Sequence, residues 1–389
     1  MTHPQEYLSE ARLLELAQVL VAIPSTTTNE QRIGDFVASF LQGLGLEVRR
    51  LPVAESGDSI VGWYGDAAAG PTLMLNFHLD TFEVFDGWHT HPLTPTLRDG
   101  RLYGLGSHDM KGGGACVLGV VEAIVRSGVA LGGRLLVSTT SDEENWSRGA
   151  HALIQSGLLD GCIGALVPEP SAAGTLTIGQ RGRHVFHVQL YGRTIHAAFG
   201  PGINAVADAA RIVARLSAPG AVDLGWSADF GLPGSLCVIG MHGGGTMILV
   251  PERAEIVIDR HILPGETVDH VAAQIRSVIE ACEVTSRWEL SWDNRPTPSP
   301  GSFVVPADSR LVQTVRSNLA REQGRDIQLV LGRSVADTNH FAVHGGVPTL
   351  ICGPQGGNTC EANEYLEVAS LLPTARAIAA STLDLLSSP

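Results

Sequence analysis

The chain opens with two stretches in which apolar residues recur at the three- and four-residue spacing of a helix. These stretches, residues 8–21 and residues 30–44, predict two amphipathic helices. Asn29 stands immediately before the second stretch, where its side chain is expected to cap the helix. We therefore expect the first part of the chain to be helical.

Two uniformly apolar runs farther along the chain predict β-strands that are buried on both faces. They cover residues 72–77 and 134–139, and the segment between them, residues 112–127, begins with three glycines and continues at helical spacing. The order strand, helix, strand is typical of an α/β fold with a mostly parallel sheet. In such a sheet, ligands are expected at the carboxyl ends of the strands.

The pattern changes after Glu169, where alternating apolar and polar positions replace the uniformly apolar runs. Three alternating stretches predict strands of a half-exposed sheet, namely residues 183–190, 235–240 and 255–258. Two stretches at helical spacing lie between and after them, namely residues 205–216 and 268–282. This part of the chain is predicted to be a smaller α+β domain.

A proline-rich segment, residues 293–306, predicts the return of the chain to the first sheet. Residues 327–330 and 349–351 are apolar runs of the earlier kind and are expected to rejoin that sheet. The sequence thus predicts a discontinuous first domain, residues 1–182 and 294–389, into which a second domain, residues 183–293, is inserted.

Composition narrows the class of protein. The 26 basic and 40 acidic side chains give a net charge of −14, which argues against nucleic acid or an anionic membrane as the main partner, because either needs clustered Lys and Arg. Glutamates interrupt the N-terminal stretch, and no apolar run reaches the ~20 residues that cross a bilayer. The six cysteines are scattered without a CxxC pair, which is typical of reduced thiols. We expect a cytoplasmic protein that acts on a small molecule.

Acidic residues and one histidine gather at or just beyond the predicted strand ends. They are His78, Asp80, Asp109, Glu143, Glu144 and Glu169. Converging carboxylates need a cation, and a set of imidazole and carboxylate ligands suits zinc, manganese or cobalt, with two metals sharing a bridge. Period-two spacing puts His78 and Asp80 on one face, where Asp80 can hold the imidazole ring and fix its tautomer. Taken alone, such a triplet is common by chance, and a Glu143–Glu144 pair is often merely solvated.

Seven stretches together closely resemble the family of metal-dependent aminoacylases, acetylornithine deacetylases, succinyl-diaminopimelate desuccinylases and carboxypeptidase G. They run in family order over nearly the whole chain: FHLD (77–80), DGRLYGLGSHDMKGGG (99–114), SDEEN (141–145), PEPS (168–171), GPGINAV (200–206), IDRHILPGE (258–266) and ANEY (362–365). The resemblance implies a two-metal hydrolase whose inserted domain serves as lid and dimerisation domain, in a homodimer or larger homo-oligomer.

The resemblance also implies roles for single residues in the metal centre. His78 and Glu169 would bind the first metal, Asp109 would bridge the two metals, and Glu144 would bind the second. Glu143 would be the general base that deprotonates the attacking water. Asp80 would join it as a catalytic residue, and the peptide bond after Asp109 is expected to be cis.

Further roles concern the substrate. His196 would stabilise the tetrahedral oxyanion, often from the partner subunit, although a surface histidine is its ordinary interpretation. Arg260 would receive the substrate carboxylate, with an ion pair to Asp259 or Glu266 as the other interpretation. Asn204 and His340 are further candidates for substrate binding.

Two positions depart from the family pattern. Cys360 stands where the family has its last metal-binding histidine, and three interpretations stay open: a thiolate ligand, a degraded second metal site, or an inert small residue. Ile248 stands where the family often has an asparagine that holds the substrate. The amino-acid end of the substrate is therefore expected to be held differently, to be absent, or to be replaced by a flatter, more apolar group.

The predicted activity is hydrolysis of a C–N bond, most simply by an N-acyl amino acid deacylase or a small peptidase. One alternative is an aminohydrolase or amidohydrolase that acts on an unusual substrate, such as an aromatic one, with a single or labile metal. Another is a homologue that binds a ligand without catalysis.

Overall fold

The computed structural model describes residues 3–245 and 248–387. The chain divides into two compact units. The first comprises Met1–Gly179, Val304–Gly332 and Ala336–Pro389, and the second comprises Gln180–Phe303 and Arg333–Val335. The role of the insert as lid and dimerisation domain, and the domain boundaries given above, stay predictions.

Helices are distributed over both units. They are α1 (Glu10–Ala22), α2 (Gln31–Gly43), α3 (Gly112–Ser127), α4 (Arg148–Gln155), α5 (Ala205–Leu216), α6 (Val268–Glu280), α7 (Arg310–Gln323), α8 (Asp337–Val343) and α9 (Leu371–Leu385). In the part of the chain that the structure describes, no helix combines the length and the hydropathy that a bilayer crossing requires.

The strands are short in the first unit and longer in the second. They are β1 (Glu47–Leu51), β2 (Ser59–Gly65), β3 (Thr72–His78), β4 (Thr96–Arg98), β5 (Arg101–Tyr103), β6 (Arg134–Thr140), β7 (Cys162–Val167), β8 (Thr175–Gln180), β9 (Gly182–Tyr191), β10 (Ser235–Gly243), β11 (Arg253–Ile262), β12 (Arg287–Trp292), β13 (Phe303–Val304), β14 (Gln328–Gly332), β15 (Thr349–Ile351), β16 (Gly356–Gly357) and β17 (Tyr365–Glu367).

The first unit is built around a nine-stranded mixed sheet. Its order is β1-β2-β6-β3-β7-β15-β8-β13, with β14 paired to β8. The neighbours β6, β3, β7 and β15 are parallel, and every residue of β3 is buried. Uniform burial explains why the sequence of β3 is a continuous apolar run, since helices cover both faces of a parallel sheet. The predicted α/β class is confirmed, and the carboxyl ends of the central strands lie at one edge.

Helix α3 approaches that edge closely because it begins with three glycines. A Cβ atom on Gly113 would collide with the carbonyl oxygen of Pro168, and one on Gly114 would press into the ring of Phe77. The glycines therefore let the start of the helix pack against the strand ends that carry His78 and Glu169. Close packing therefore explains why the helix begins with glycines.

The start of α2 differs from the prediction. Asn29 is not the N-cap, because Glu30 precedes the helix and makes no side-chain cap bond, while Asn29 Nδ2 donates to Thr26 Oγ1 at 3.1 Å. The Glu30 carboxylate is fully buried and accepts the amide protons of Gly57 at 3.0 Å and Asp142 at 3.1 Å. Glu30 thus ties two distant loops together instead of capping its own helix.

The second unit contains a four-stranded antiparallel sheet in the order β10-β11-β9-β12. Buried and half-buried positions alternate along β9 and β11, which accounts for the alternating sequence pattern. The buried face, including Phe186 and Ile258, packs in one apolar core with residues of α5 and α6, such as Ile212 and Ile275. The chain therefore forms the α+β insert that the sequence pattern predicted.

Candidate metal centre and active site

The candidate site surrounds His78, the last residue of β3. Its side chain is buried, and Nδ1 lies 3.0 Å from the carbonyl oxygen of Asp80 and 3.5 Å from Oδ1 of the same residue. The other ring nitrogen, Nε2, lies 3.1 Å from Asp109 Oδ1 and 3.8 Å from Glu169 Oε1. One nitrogen is therefore held by the strand end while the other meets carboxylates, as in an imidazole that binds a metal.

Three side chains converge closely enough to share one ion. Ligand atoms of His78, Asp109 and Glu144 all lie within 4.8 Å of one another. Asp109 also accepts a hydrogen bond from the Cys360 thiol, with Sγ 3.4 Å from Oδ2, and its peptide bond to Met110 is cis. The structure thus brings the five predicted metal ligands, Glu169 and Cys360 included, into one region.

Asp80 organises the two adjacent glutamates. Its carboxylate is fully buried and accepts the backbone amide of Glu143 on Oδ1 and that of Glu144 on Oδ2, both at 3.1 Å, while the Thr27 hydroxyl donates to Oδ2 at 3.0 Å. The sequence predicted that Asp80 orients the His78 ring, and the ring nitrogen lies closer to the Asp80 carbonyl than to its carboxylate. The carboxylate mainly fixes the backbone from which Glu143 and Glu144 project.

The acidic side chains of the site are held away from water. Burial raises the pKa values of Glu143, Glu144 and Glu169 well above their usual range, and neighbouring carboxylates raise them further. Burial lowers the pKa of His78, but the negative charge of Glu169 and the hydrogen bond with Asp109 outweigh it, so that the pKa is raised. Burial alone would raise the pKa of Asp109, yet His78 lowers it.

This donor set fits a divalent cation. One imidazole faces a group of buried carboxylates. Their pKa values are raised because burial and neighbouring negative charges both disfavour ionisation. Oxygen and nitrogen ligands of this kind suit zinc, manganese or cobalt. The region is therefore a candidate metal site, and the assignment of individual ligands stays a prediction.

The environment of Cys360 bears on its possible role as a ligand. Burial raises the pKa of the thiol, and the nearby carboxylates of Asp109 and Glu144 raise it further. Its backbone is left-handed, with φ 58°, which is uncommon for a residue other than glycine. Without a cation the thiol is protonated and donates to Asp109, so a thiolate at this position needs the charge of a metal.

Glu364 is a residue of the site that the sequence analysis did not single out. Its buried carboxylate accepts the backbone amides of Gly106, His108 and Asp109, each at 2.8 Å, and burial raises its pKa to about 7. Glu364 therefore shapes the loop that presents Asp109. Glu364 lies in the ANEY stretch, which resembles the family. The sequence pattern around this stretch gives no indication that it contacts the loop of residue 109.

Asp337 was missed as well. It begins α8, its side chain is buried, and the side chains of Thr140 and Ser147 lie close enough to its carboxylate to lower its pKa against the effect of burial. Burial raises its pKa to about 6, and its charge acts on both Glu143 and Glu169. An isolated aspartate at a helix start is usually a cap, so the sequence offered no reason to place it beside Glu143 and Glu169.

Three residues predicted to contact substrate lie in the second unit. His196 is half-buried and its ring stacks on Phe199, with centroids 4.5 Å apart. Asn204 is the N-cap of α5, where Oδ1 accepts the amides of Val206 and Ala207 at 3.1 Å. The third is Arg260. Their roles toward substrate stay predictions.

Arg260 is fully buried in the second unit. Its guanidinium donates to Glu266 Oε1 at 2.9 Å and to the carbonyl of His261. The ion pair with Glu266, one of the two interpretations from the sequence, is thus present.

Ile248, which stands where the family often has an asparagine, is 66% exposed and has φ 66°, a strained conformation for a β-branched residue.

His340, the remaining candidate, lies in the first unit on α8. It is buried, and its Nδ1 lies 2.9 Å from Nε2 of His151. Its ring also stacks near that of His344, with centroids 5.6 Å apart. Two of its neighbours are therefore histidines, and its contact with substrate stays a prediction.

A buried cluster of one imidazole and several carboxylates, placed at the carboxyl ends of parallel strands, is the site of a metal-dependent hydrolase that acts on amide bonds. The chain belongs to Peptidase family M20/M25/M40, whose model matches residues 74–384. The resemblance noted from the sequence is thereby confirmed.

Relatives of the chain carry out different reactions on amides. It is similar to a succinyl-diaminopimelate desuccinylase of Methylobacillus flagellatus, with 26% identity over 94% of this chain and 97% of the relative. It is equally similar, at 26% identity over 92% and 91%, to the N-formyl-4-amino-5-aminomethyl-2-methylpyrimidine deformylase of Bacillus subtilis. Its fold matches a tripeptidase from Staphylococcus aureus with a TM-score of 0.81 and 22% identity, over 97% of this chain and 99% of that one.

Proposed function

We propose that the protein removes the acyl group from a small N-acyl amine, most simply an N-acyl amino acid, using a pair of metal ions held by His78, Asp109, Glu144, Glu169 and Cys360. The observation that carries this proposal is the buried Asp80 carboxylate, which binds the amides of both Glu143 and Glu144. Two neighbouring glutamates receive separate tasks because one can be neutralised by ligation while the other keeps a free carboxylate.

When bound, the divalent metal supplies positive charge that makes a water easier to deprotonate and polarises the substrate carbonyl. Glu143 accepts the proton as the water oxygen forms its bond to the carbonyl carbon. Glu143 then passes this proton to the nitrogen as the C–N bond breaks, so the products are a carboxylate and an amine. His196 stabilises the oxyanion in this scheme, and Asp80 holds the backbone amide of Glu143, the residue that carries the general base.

A substrate panel tests this proposal. Purified protein loaded with zinc, manganese or cobalt is assayed against acetyl-, succinyl-, formyl- and aromatic-acyl amines and against dipeptides, with release of the amine as the readout. We expect turnover of at least one N-acyl amine, abolished by a strong chelator and restored by metal. Failure to hydrolyse any member with each metal, or full activity after exhaustive chelation, would contradict the proposal.

A variant of Cys360 tests the ligand set. We expect the wild type to bind two metal ions per chain and Cys360→Ala to bind one, because removal of a thiolate leaves the second ion short of a ligand. Elemental analysis on protein purified without chelator measures this number. Cys237→Ala, which removes an exposed cysteine of the second unit, is the matched control and should leave the metal content unchanged. Equal metal content in all three proteins would exclude Cys360 as a ligand.

The same variant distinguishes a second candidate function. A single metal in both the wild type and Cys360→Ala would favour an aminohydrolase or amidohydrolase that acts on an aromatic substrate. Exposed Phe82 and Phe85, whose ring centroids lie 6.4 Å apart on the loop after Asp80, are the feature that favours a flat, apolar substrate. Faster turnover of the aromatic members of the panel is the corresponding result.

A further inference from the structure

The loop that follows the end of β3, residues 82–89, carries a cluster of exposed apolar side chains and is named the aromatic loop below. Phe82, Val84 and Phe85 are 36%, 47% and 42% exposed, and the two phenyl rings have centroids 6.4 Å apart. Large apolar side chains that stay in contact with water cost free energy, and clusters of them often mark a place where a ligand binds. The position of this cluster beside the candidate active site indicates that the ligand is the substrate.

The start of the aromatic loop is tied to the catalytic region. The backbone amide of Thr81 donates to the carbonyl oxygen of Ser25 at 2.9 Å, and the Thr81 carbonyl accepts the amide of Thr27 at 3.0 Å. The Thr27 hydroxyl donates to the Asp80 carboxylate at 3.0 Å, and the same carboxylate accepts the amide of Glu143. The apolar cluster therefore begins two residues after the side chain that holds the proposed general base.

The far end of the aromatic loop is fastened by the side chain of Asn363. Its Oδ1 accepts the backbone amide of His89 at 2.7 Å, and its Nδ2 donates to the carbonyl oxygen of Gly87 at 3.0 Å. Among the residues that the structure describes, these two are the only hydrogen bonds made by residues 83–89. The conformation of the loop beyond its first residue therefore depends on Asn363.

The backbone of Asn363 suits this task as well as its side chain does. Its φ of 63° is left-handed, in a region that asparagine enters more readily than most residues. The next residue, Glu364, accepts three backbone amides of the loop that presents Asp109, each at 2.8 Å. Two adjacent residues thus fasten two different loops, one with a predicted metal ligand and one with the apolar cluster.

We propose that Asn363 is a positioning residue for substrate specificity, which holds the aromatic loop so that Phe82, Val84 and Phe85 form a subsite for an aromatic group of the substrate. This inference rests on the proposed hydrolysis of an N-acyl amine and adds a substrate class to it. The two phenyl rings are tilted by 41° and lie at a distance at which aromatic rings attract each other, so a third ring finds the same contact on their exposed faces.

Asn363→Gly tests the role of the side chain alone, because glycine adopts a left-handed φ without strain. The kinetic test uses N-acetylglycine, N-benzoylglycine and N-acetylphenylalanine, so that a ring is added first on the acyl side and then on the amine side. We expect the wild type to prefer at least one aromatic compound. In the variant, KM for that compound should rise about tenfold or more, because the loop no longer holds the subsite. Its kcat, both constants for N-acetylglycine and the metal content should stay within twofold of the wild type.

Limited proteolysis with chymotrypsin tests the fastening of the loop without any substrate. This protease cleaves after aromatic residues, and mass spectrometry identifies cuts after Phe82 and Phe85. We expect these cuts to appear about fivefold faster or more in Asn363→Gly, because the loop opens more often. Asn363→Asp keeps an acceptor for His89 and loses the donor to Gly87, so it should give intermediate rates of cleavage and an intermediate KM.

Glu283→Gly is the matched control, since it replaces an exposed residue of the second unit with φ 48° by glycine. It should resemble the wild type in every assay. Three results would each overturn the proposal: no preference of the wild type for either aromatic compound, an equal rise of KM for all three compounds in Asn363→Gly, or unchanged cleavage after Phe82 and Phe85.

Calorimetry separates this proposal from the proposed function. Binding of the same three compounds is measured on metal-loaded Glu143→Gln protein, with and without Asn363→Gly, so that the readout does not require hydrolysis. If the wild type hydrolyses none of the compounds in the panel, the proposed function is wrong. A preference in binding for an aromatic compound, removed by Asn363→Gly, would still support the subsite, whereas equal affinities for the three compounds would overturn it.

Discussion

Replacement of Glu143 by glutamine is expected to lower kcat by about 10²–10⁴-fold without changing the number of metal ions bound. Glutamine has the shape of glutamate, and its backbone amide can still donate to Asp80, as that of Glu143 does at 3.1 Å. It cannot accept the proton of the attacking water. The loss should therefore appear in kcat, measured on the best substrate of the panel, while elemental analysis gives the wild-type metal content.

Two further variants make this result specific. Glu144→Gln should lower metal affinity as well as activity, since the carboxylate of Glu144 belongs to the group with His78 and Asp109. Glu47→Gln removes an exposed carboxylate from β1 and should leave both quantities unchanged. A Glu143→Gln protein with kcat within threefold of the wild type would remove Glu143 from the mechanism.

Asp80→Asn is expected to lower metal affinity by about 10–100-fold and activity to a similar or greater degree. Asparagine offers one acceptor oxygen, so either the amide of Glu143 or that of Glu144 would face an NH₂ group instead of the oxygen that it now meets at 3.1 Å. A buried amide without an acceptor also costs about 1–3 kcal/mol of the free energy of unfolding. Metal titration and urea unfolding measure the two effects.

Asp66→Asn provides the comparison, because Asp66 also accepts a backbone amide, that of Ala68 at 2.8 Å, but on the surface. It should change neither metal affinity nor activity. If Asp80→Asn loses stability yet binds metal and turns over substrate like the wild type, then Asp80 supports the fold alone, and the separation of tasks between Glu143 and Glu144 has another cause.

Local patterns were sufficient to predict the scaffold that carries the site. The bounds of α3, α5 and β15 coincide with those predicted, because helical spacing and short apolar runs are properties of neighbouring residues. His78 was found for the same reason, since it follows the apolar run of residues 72–77. The remaining acidic residues of the site were identified from the stretches of sequence that resemble the family.

The residues that position the site were not predictable from local patterns. Glu30, Glu364 and Asp337 are single acidic residues in or beside loops, where a charged side chain is ordinarily solvated. Glu30 and Glu364 each accept amides from segments far away in sequence, and such contacts leave no periodicity. Asn29 was predicted to cap α2 because cap preferences are local, whereas Glu30 is fixed by tertiary contacts that those preferences do not include.

The hydrogen bonds of Glu364 have a consequence for the order of events during synthesis. The Asp109 amide that Glu364 accepts lies 255 residues earlier in the chain. At about 5–20 residues per second, ribosomes finish residue 364 roughly 13–50 s after residue 109. The loop that carries Asp109 can therefore gain this hydrogen bond only after residue 364 has been synthesised. A chain that stops just after Cys360 would contain every predicted ligand and still lack the anchor of this loop.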